Sequence, residues 1–352
     1  MEFVEMLPFE LENYEFLQHI GRGSYAEVFL VRSTKYNVYY CAKVQKLEEG
    51  LIGEDGCLYE PELCTLMMID HPNVIRLFQY FVYQNYLFLI LELLLEKETI
   101  FPFMLTLAVP NLRVLAESLV SALQYLHSNN ITHRDIKPPN ILYDSYGRPK
   151  FSDFGLSMKW TKCQKINDVC GSVPYLSPEM LAFYATDDQK KSMMIVDLYK
   201  ADVYALGVTF YEMATGKLPF PLAETIEEEI SNRKNFVFPK DVEIDKDFEN
   251  LITKMLSYNH VFRPSAADLL FDPFLNKCCI SDMPRKKIEN SSSARMNVRN
   301  ILGISSPLSH KLNYTNVPSR PTLAFQHRKS TGLPTFYSSL KISPQRSCYS
   351  KL

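Results

Sequence analysis

His133-Arg134-Asp135-Ile136-Lys137-Pro138-Pro139-Asn140 is the most informative stretch of this sequence, and Asp153-Phe154-Gly155 follows it thirteen residues later. Together the two stretches supply two carboxylates, a carboxamide and an ammonium group at short spacing. Such a set can organise magnesium and a nucleoside triphosphate beside an acceptor hydroxyl. Phosphoryl transfer requires mainly positioning and charge neutralisation from a protein, so this chemistry is the first function that the residues indicate.

Both stretches resemble the catalytic loop and the magnesium-binding loop of eukaryotic protein kinases. The resemblance implies that Asp135 accepts or orients the proton of the acceptor hydroxyl and that Lys137 stabilises the transferring phosphate. It also implies that Asn140 and Asp153 hold magnesium. Lys137 stands two residues after Asp135, as in the serine/threonine class, so transfer of the γ-phosphate of ATP to protein hydroxyls is the expected activity. The competing interpretation is a nucleotide-binding pseudokinase that acts as a scaffold or allosteric partner.

A glycine-rich stretch, Gly21-Arg22-Gly23-Ser24-Tyr25-Ala26-Glu27-Val28, lies upstream of Ala42-Lys43. Glycines let a hairpin backbone approach phosphates and offer its N–H groups to them. An ordinary glycine-rich turn is the alternative, but Lys43 resembles the phosphate-binding lysine of kinases. Because a lysine on an apolar strand is costly to bury alone, Glu62 is its predicted partner. For this pair, two solvated surface charges are the alternative.

The apolar run from Tyr86 to Leu91 ends at Glu92-Leu93-Leu94, where the resemblance places the hinge between two lobes. There, backbone groups would hydrogen-bond the adenine edge, with Leu91 as the gatekeeper. Glu98 falls where a ribose contact is often found, and a polar strand exit is an equal alternative. The nucleotide contacts predicted besides Lys43, Glu62 and these residues are Gly21, Gly23, Ser24, Val28, Ala42, Leu94 and Leu142. The implied cofactors are ATP and Mg²⁺.

Periodicity separates a strand-rich segment from a helical one. From about Tyr14 to Leu93 the pattern predicts strands, including a hairpin of residues 28–31 and 39–44, and one helix from Glu62 to Ile69. Later helices are predicted from Asp202 to Ala214 and from Phe248 to Leu256. Five leucines share a further helical face: Leu112, Leu115, Leu119, Leu123 and Leu126. The expected fold is α+β and bilobal, with a β-rich small lobe and an α-rich large lobe. By resemblance, a hydrophobic column would align the lobes, formed by His133, Phe154, Leu66 and Leu77.

Further motifs of the kinase type follow the catalytic loop. Ser177-Pro178-Glu179 resembles the end of a kinase activation segment, with Arg263 as the expected partner of the glutamate. Asp202 resembles the aspartate that anchors the catalytic-loop backbone. Because Glu179 and Asp202 stand about ten residues further apart than in most kinases, we predict a polar surface insert around Thr186 to Ser192. Pro139 stands where glutamate is frequent, so arginine-directed substrates are not implied.

Asp168 stands two residues before Cys170, where many kinases carry a phosphorylated threonine. A carboxylate there could give Arg134 a fixed negative partner in place of a phosphate. We therefore hypothesise that activity does not require phosphorylation at that position. An ordinary loop aspartate is the alternative, and Thr161 is a second candidate regulatory site.

Composition agrees with a folded body without a transmembrane segment. The 352 residues are 46% apolar, yet no apolar run approaches the ~20 residues that span a bilayer. The start, residues 1–5, is acidic where a signal peptide would be basic. Eight cysteines with no CxxC pair predict reduced thiols. We expect a cytoplasmic location, with the nucleus as the alternative, and no specific nucleic-acid partner.

The net charge of −2 hides an asymmetry, because residues 276–352 hold 13 Lys and Arg but only 2 Asp and Glu. This segment is also rich in Ser and Pro, which predicts a disordered basic tail. The predicted organisation is an N-terminal lead (1–13), a kinase domain (14–275, with lobes of about 14–94 and 95–275) and the tail (276–352).

The partners predicted are protein substrates and a regulatory partner of the tail. The tail could be a solubilising extension, fold back on the acidic body or bind an anionic surface. Cys278-Cys279 with Arg285-Lys286-Lys287 permits a lipid anchor. The stretch from Arg295 to Leu302 is compatible with calmodulin-type recognition.

Overall fold

The structure is a computed structural model. It describes residues 2–23, 26–48, 50–51, 53, 58–94, 109–161, 164–166, 168–191, 194, 196–238 and 244–276. Two predicted nucleotide contacts, Ser24 and Glu98, lie outside the described residues, and so does the predicted tail beyond Asn276.

Six strands form one antiparallel sheet: β1 (Phe9–Leu11), β2 (Tyr14–Arg22), β3 (Ala26–Ser33), β4 (Tyr39–Lys46), β5 (Leu77–Tyr83) and β6 (Tyr86–Leu91). Their order across the sheet is β1-β2-β3-β4-β6-β5. The predicted hairpin is β3–β4. Alternation along β6 divides its side chains, because Phe88 and Ile90 join an aromatic core on one face while Leu89 and Leu91 join a second core on the other. The sheet therefore has two apolar faces, and the second core continues into the large lobe.

The small lobe has one described α-helix, α1 (Pro61–Met68). Proline suits its first turn because an N–H there has no intrahelical acceptor, and the Glu60 side chain caps the turn by accepting from the Leu63 N–H at 2.6 Å. The helix thus starts one residue before the predicted Glu62. It buries Glu62, so its inward face carries a charge that needs a partner.

The large lobe is mainly helical. Its helices are α2 (Val109–Ser128), α3 (Pro178–Ala185), α4 (Asp188–Lys191), α5 (Leu198–Thr215), α6 (Ile226–Asn232), α7 (Lys246–Met255), α8 (Ala266–Leu269) and α9 (Pro273–Asn276). Short strand pairs are β7 (Ile131–Thr132) with β10 (Met158–Lys159), and β8 (Ile141–Tyr143) with β9 (Pro149–Phe151). All five leucines of the predicted helical face are buried on α2. The predicted surface insert contains α4, where Gln189 and Lys190 are exposed.

A continuous hydrophobic core joins the two lobes. It contains Leu66 of α1 and Leu77 of β5 together with Phe154 and buried residues of α2 and α5. The expected bilobal α+β fold is therefore confirmed, and the core holds the loops between the lobes in place. Within the described ranges no helix has the length and apolarity that crossing a membrane requires.

Candidate active site

The catalytic-loop backbone is held by a buried carboxylate on α5. Asp202 is 2% exposed, and its two oxygens accept hydrogen bonds from the backbone N–H groups of His133 and Arg134, both at 2.9 Å. Arg134 has a φ of 68°, a conformation that non-glycine residues keep only where the surroundings impose it. Asp202 therefore fixes the loop between β7 and β8, as predicted.

Asp135 lies at the centre of a hydrogen-bond network. The Asn140 amide donates to its backbone carbonyl at 2.8 Å and to its Oδ2 at 3.0 Å, and Lys137 Nζ lies 2.8 Å from the same oxygen. Ser172 donates to the other oxygen, Oδ1, from its hydroxyl at 3.1 Å and its N–H at 3.2 Å. The network fixes the carboxylate next to an ammonium group and a hydroxyl.

Lys43 forms two ion pairs, one within the small lobe and one with the large lobe. Its ammonium group donates to Glu62 Oε1 and to Asp153 Oδ1, each at 2.8 Å. Burial alone would lower the pKa of Lys43, but the charges of the two carboxylates raise it above 10.5. Burial would raise the pKa of Asp153, yet the Lys43 ammonium lowers it below 3.8. Both groups are therefore charged at neutral pH, and the predicted Lys43–Glu62 pair is present.

His133 is a packing residue in this site. Its side chain is fully buried, its ring centroid lies 4.8 Å from that of Phe154, and its Nε2 is 3.0 Å from the Ser152 carbonyl. Phe154 shares its core with Leu66 and Leu77. The predicted association of these residues between the lobes is confirmed.

The glycine-rich hairpin lies over the same face of the sheet as Lys43. Val28 stands directly opposite Lys43 in the β3–β4 register, and Gly21 stands opposite Val28 in the β2–β3 register. The N–H of Gly23 donates to the Ala26 carbonyl at 2.8 Å and closes the turn. The structure thus places Gly21 and Val28 in line with Lys43 across neighbouring strands, with Gly23 in the turn beyond them, and the nucleotide contacts of these residues stay a prediction.

Ala42 does not lie on this face, so its predicted nucleotide contact is wrong. Successive strand residues point to opposite faces, and fully buried Ala42 packs in the aromatic core with Phe29 and Ile90. Cys41 takes the place beside Lys43, opposite Leu91, and packs against the inter-lobe core. Burial raises the pKa of the Cys41 thiol to about 12. The period of two along the strand was the signal that could have identified Cys41.

The predicted hinge lies at the end of β6. Leu91 is buried and Leu94 is half-buried against the inter-lobe core. The Glu92 carboxylate, Oε2, lies 2.9 Å from Nζ of the buried Lys150, so its charge is already matched within the protein. Leu142 stands opposite Lys150 in the β8–β9 register, which puts it on the face that meets the hinge.

The end of the activation segment is tied to the large lobe by a buried ion pair. Arg263 is 1% exposed and donates to both Glu179 oxygens, at 2.7 and 3.1 Å. It also donates to the Lys200 carbonyl at 2.7 Å. Two parallel bonds of this kind are strong and directional, and the predicted partnership is confirmed.

The middle of the segment is held by a more exposed pair. Arg134 Nη2 donates to Asp168 Oδ1 at 3.1 Å and to the Asp168 carbonyl at 3.3 Å. The Asp168 side chain is 67% exposed, against 10% for Arg134. Nη1 of the same arginine faces the sulfur of Met158 at 3.3 Å. The predicted contact between Asp168 and Arg134 is present in the structure.

Arg233 also contacts the activation segment, and sequence reasoning missed it. It follows α6 and is 1% exposed. Its guanidinium donates to the carbonyls of Val173, Pro174 and Leu176 at 3.1, 3.4 and 3.2 Å. Backbone carbonyls leave no trace in a sequence pattern; the available signal was Glu229 four residues before Arg233, the spacing of a helical ion pair.

Asn140 and Asp153 present oxygens suited to a divalent cation. The side-chain nitrogen of Asn140 donates to Asp135. The side-chain oxygen of Asn140, Oδ1, is left for a ligand. Asp153 uses Oδ1 for Lys43. The backbone N–H of Ser152 donates to the backbone carbonyl of Asn140, so the two segments are adjacent. No group of three or more His, Cys, Asp and Glu among the described residues could hold a metal alone. The arrangement fits Mg²⁺, which takes one or two protein ligands together with phosphate oxygens.

The fold and the site together define a two-lobed domain that carries the parts of a phosphotransferase site. A lysine–glutamate pair sits on the small lobe, an aspartate–lysine–asparagine cluster on the large lobe, and an arginine-tethered segment borders the cleft. These are the parts that phosphoryl transfer to a protein hydroxyl requires.

Comparison with known proteins identifies the family. The protein kinase domain matches residues 14–275, and the chain belongs to this family. It is 32% identical over 272 residues to sperm motility kinase 2B of Mus musculus, covering 75% of this chain and 52% of the relative. It is 33% identical over 280 residues to sperm motility kinase 2A of the same species, covering 78% and 52%. Identity with Rho-associated protein kinase 1 of Oryctolagus cuniculus is 30% over 262 residues, covering 72% and 19%.

The chain thus spans about half the length of the sperm motility kinases that it matches. The predicted family is confirmed. The alanine at position 26 of the glycine-rich loop and the spelling Ser177-Pro178-Glu179 suggest a closer likeness to the calcium/calmodulin-dependent or polo-like kinases, which stays a prediction.

Proposed function

We propose that this protein is an active serine/threonine kinase, which transfers the γ-phosphate of magnesium-bound ATP to hydroxyl groups of protein substrates. The observation that carries the proposal is the double ion pair of Lys43 with Glu62 and Asp153, each at 2.8 Å. This geometry aligns the phosphate-binding lysine with the metal-binding carboxylate across the cleft. In kinases both contacts accompany the catalytically competent arrangement.

The nucleotide end of the site has its own support. A Cβ at Gly21 or Gly23 would make only ordinary contacts, at 3.7 and 3.6 Å, so internal packing does not require glycine there. Close approach of phosphates to the backbone would require glycine at these two positions. Val28, Cys41, Leu91, Leu94 and Leu142 would surround the base. Bound Mg²⁺ would neutralise phosphate charge, held by Asn140 and Asp153.

The acceptor end is formed by the large lobe. Asp135 would take or orient the proton of an incoming hydroxyl, because its carboxylate already accepts from the Ser172 hydroxyl at 3.1 Å. Lys137 is 2.8 Å from both Asp135 Oδ2 and Ser172 Oγ. From that place its ammonium group would bind the transferring phosphate.

The activation segment gives a regulatory part to the proposal. We propose that Asp168 replaces a phosphorylated residue, because it supplies a single negative charge to Arg134. Nη2 of Arg134 contacts Asp168, and Nη1 contacts the sulfur of Met158 and not a second cation. Asp168 therefore has to match the charge of Arg134 alone, and a single carboxylate is enough for that. Thr161 stays a candidate for additional phosphorylation.

A pseudokinase scaffold is the rival function, and one experiment separates the two. Purified full-length chain is incubated with radiolabelled ATP, Mg²⁺ and a positional-scanning peptide library, beside Asp153→Asn and the exposed-site control Lys246→Ala. We expect transfer by the wild type and the control and a loss of about 10³-fold in Asp153→Asn. ATP binding, followed by thermal shift, is measured in parallel. Binding without transfer in the wild type would favour the scaffold.

The expected compartment and tail partner are also proposals. We propose a reducing location, the cytoplasm or the nucleus, with support from the thiols of Cys41 and Cys64, which form no disulfide. Fractionation of cells that express the tagged chain would test this. Deletion of residues 277–352 would test a regulatory tail, because autoinhibition predicts a gain in peptide phosphorylation.

A further inference from the structure

Arg233 is a buried cation outside the catalytic and nucleotide residues. It caps the C-terminal end of α6 and is 1% exposed. A full charge at that depth is stable only when other groups match it. Glu229, one helical turn earlier and 4% exposed, pairs with Nη1 through its Oε2. The same nitrogen donates to the Glu229 carbonyl at 2.7 Å.

The other two guanidinium nitrogens, Nε and Nη2, form hydrogen bonds with the activation segment and not with α6. Nε donates to the Leu176 carbonyl at 3.2 Å, and Nη2 donates to the carbonyls of Val173 at 3.1 Å and Pro174 at 3.4 Å. These carbonyls belong to the single turn at Val173–Tyr175 and to the residue after it. The planar fork of arginine can satisfy several acceptors at fixed angles, which a lysine cannot do.

This turn is directly connected to the catalytic aspartate. Ser172, the residue before it, donates from both its N–H and its hydroxyl to Asp135 Oδ1. Tyr175 within the turn donates its hydroxyl to Glu212 on α5 at 2.5 Å. A shift of the turn would therefore move the groups that border Asp135, where an acceptor hydroxyl has to arrive.

The surroundings of Arg233 hold it in one orientation. Its guanidinium carbon lies 5.5 Å from the centre of the Phe220 ring, a cation–π distance. Glu229 is fixed as well, because its Oε1 accepts from the Ala223 N–H at 3.1 Å. The pair is thus a rigid support beneath Val173–Leu176.

We propose that Arg233 is a positioning residue for the protein acceptor. It holds the turn Val173–Leu176 so that a substrate chain binds with its hydroxyl at Asp135. The inference rests on the proposed kinase activity. It predicts an effect on the peptide substrate and none on ATP, because the partners of Arg233 described above all lie in the large lobe.

The test compares two variants of the full chain. Arg233→Lys keeps the charge opposite Glu229 but loses the fork, and Glu229→Gln/Arg233→Met removes both buried charges so that neither is left unpaired. The substrate is a peptide selected with the wild-type enzyme from a positional-scanning library. We expect KM for the peptide to rise about tenfold or more, while KM for ATP stays within about twofold. Amide hydrogen exchange at residues 173–176, measured without substrate, should accelerate in both variants.

Lys254→Gln is the matched control, because it deprives the buried Asp272 of its ion-pair partner elsewhere in the large lobe. It should lower stability without changing either KM or the exchange of residues 173–176. Variants of Arg233 that match this control in all three readouts would overturn the inference, since Arg233 would then be structural only. An inactive wild type would refute the proposed function instead, and the exchange measurement would still decide whether Arg233 holds the turn.

Discussion

Two arginine–carboxylate pairs hold the same activation segment in very different environments. At its end, the side chains of Arg263 and Glu179 are 0% and 9% exposed and share two hydrogen bonds. In its middle, Arg134 meets Asp168 through one side-chain bond, and the aspartate is 67% exposed. The charged groups are the same in both pairs, so the pairs differ in how deeply they are buried and not in their chemistry.

The difference shows where the segment is permanently fixed and where it can be adjusted. A buried, doubly bonded pair cannot open without leaving a charge in a low dielectric. An exposed pair is screened by water and contributes about 0–1 kcal/mol. We infer that the Glu179 end belongs to the fold, whereas the Asp168 contact sets how often the middle of the segment is ordered.

Loss of Arg263 should have the largest effect. Arg263→Ala leaves the Glu179 carboxylate nearly buried and unpaired, so we expect a loss of about 3–5 kcal/mol in the free energy of unfolding and little active protein. Urea unfolding followed by fluorescence would measure this. A loss below about 1 kcal/mol would mean that water reaches Glu179 and that the contrast between the two pairs is wrong.

Gly171→Ala should disrupt the segment between the two pairs. Gly171 has a φ of 105°, and a Cβ there would lie 2.5 Å from the Arg134 carbonyl oxygen. Because backbone cannot yield as a flexible side chain does, we expect a cost of about 1–3 kcal/mol and at least about a tenfold fall in peptide kcat/KM.

The matched control for that variant is Gly147→Ala. Gly147 also has a positive φ, 78°, but open space around the position of a Cβ. It should show the backbone penalty of about 1 kcal/mol and normal activity. Equal losses of activity in both variants would assign the effect to backbone strain alone.

Asp168→Asn should lower activity moderately and leave stability unchanged. The variant removes the charge opposite Arg134, and a contribution of up to about 1 kcal/mol corresponds to about a fivefold change in the ordered population. Peptide kcat/KM of phosphatase-treated enzyme is the measurement, with Asp187→Asn as an exposed control. If the treated wild type were inactive until an upstream kinase acted on it, Asp168 would not be a substitute for a phosphate.

Salt should sharpen the contrast between the pairs. In about 1 M NaCl the Debye length falls to about 3 Å, so the activity ratio of wild type to Asp168→Asn should approach one. The stability difference between wild type and Arg263→Ala should persist under the same conditions. A ratio unaffected by salt would indicate that the Asp168 contact is less exposed than its geometry indicates.

A third pair, Lys43 with Asp153, should be insensitive to pH near neutrality. The pKa of Asp153 is lowered below 3.8, so its contribution to stability is present above that value and lost as the pH falls through the folded-state pKa. The pKa of Lys43 is raised above 10.5, so its contribution is lost only as the pH rises beyond that value. The stability difference between wild type and Asp153→Asn, which keeps the Lys43–Glu62 pair, should therefore stay constant from about pH 5 to pH 9. A titration midpoint of this stability difference between pH 5 and pH 9 would contradict the lowered pKa of Asp153 or the raised pKa of Lys43.

Sequence motifs predicted three of the ion pairs of this site. The pairs Lys43–Glu62, Glu179–Arg263 and Arg134–Asp168 were expected because the motifs around these charged residues resemble those of protein kinases. Ion pairs of this kind can be predicted from a sequence because a charge on a buried strand or loop requires a partner of opposite sign. The bilobal fold followed from the same motifs together with strand and helix periodicity.

The sequence by itself determined which functional groups this protein carries and which of them need partners. Only the tertiary structure decided which face of a strand a residue uses, as with Cys41 in place of Ala42, and how deeply each ion pair is buried. It alone brought Arg233 to the carbonyls of residues 173–176, some sixty residues away along the chain. Backbone acceptors are identical at every position, so their pairing depends on how the helices pack and has no signature in the order of amino acids.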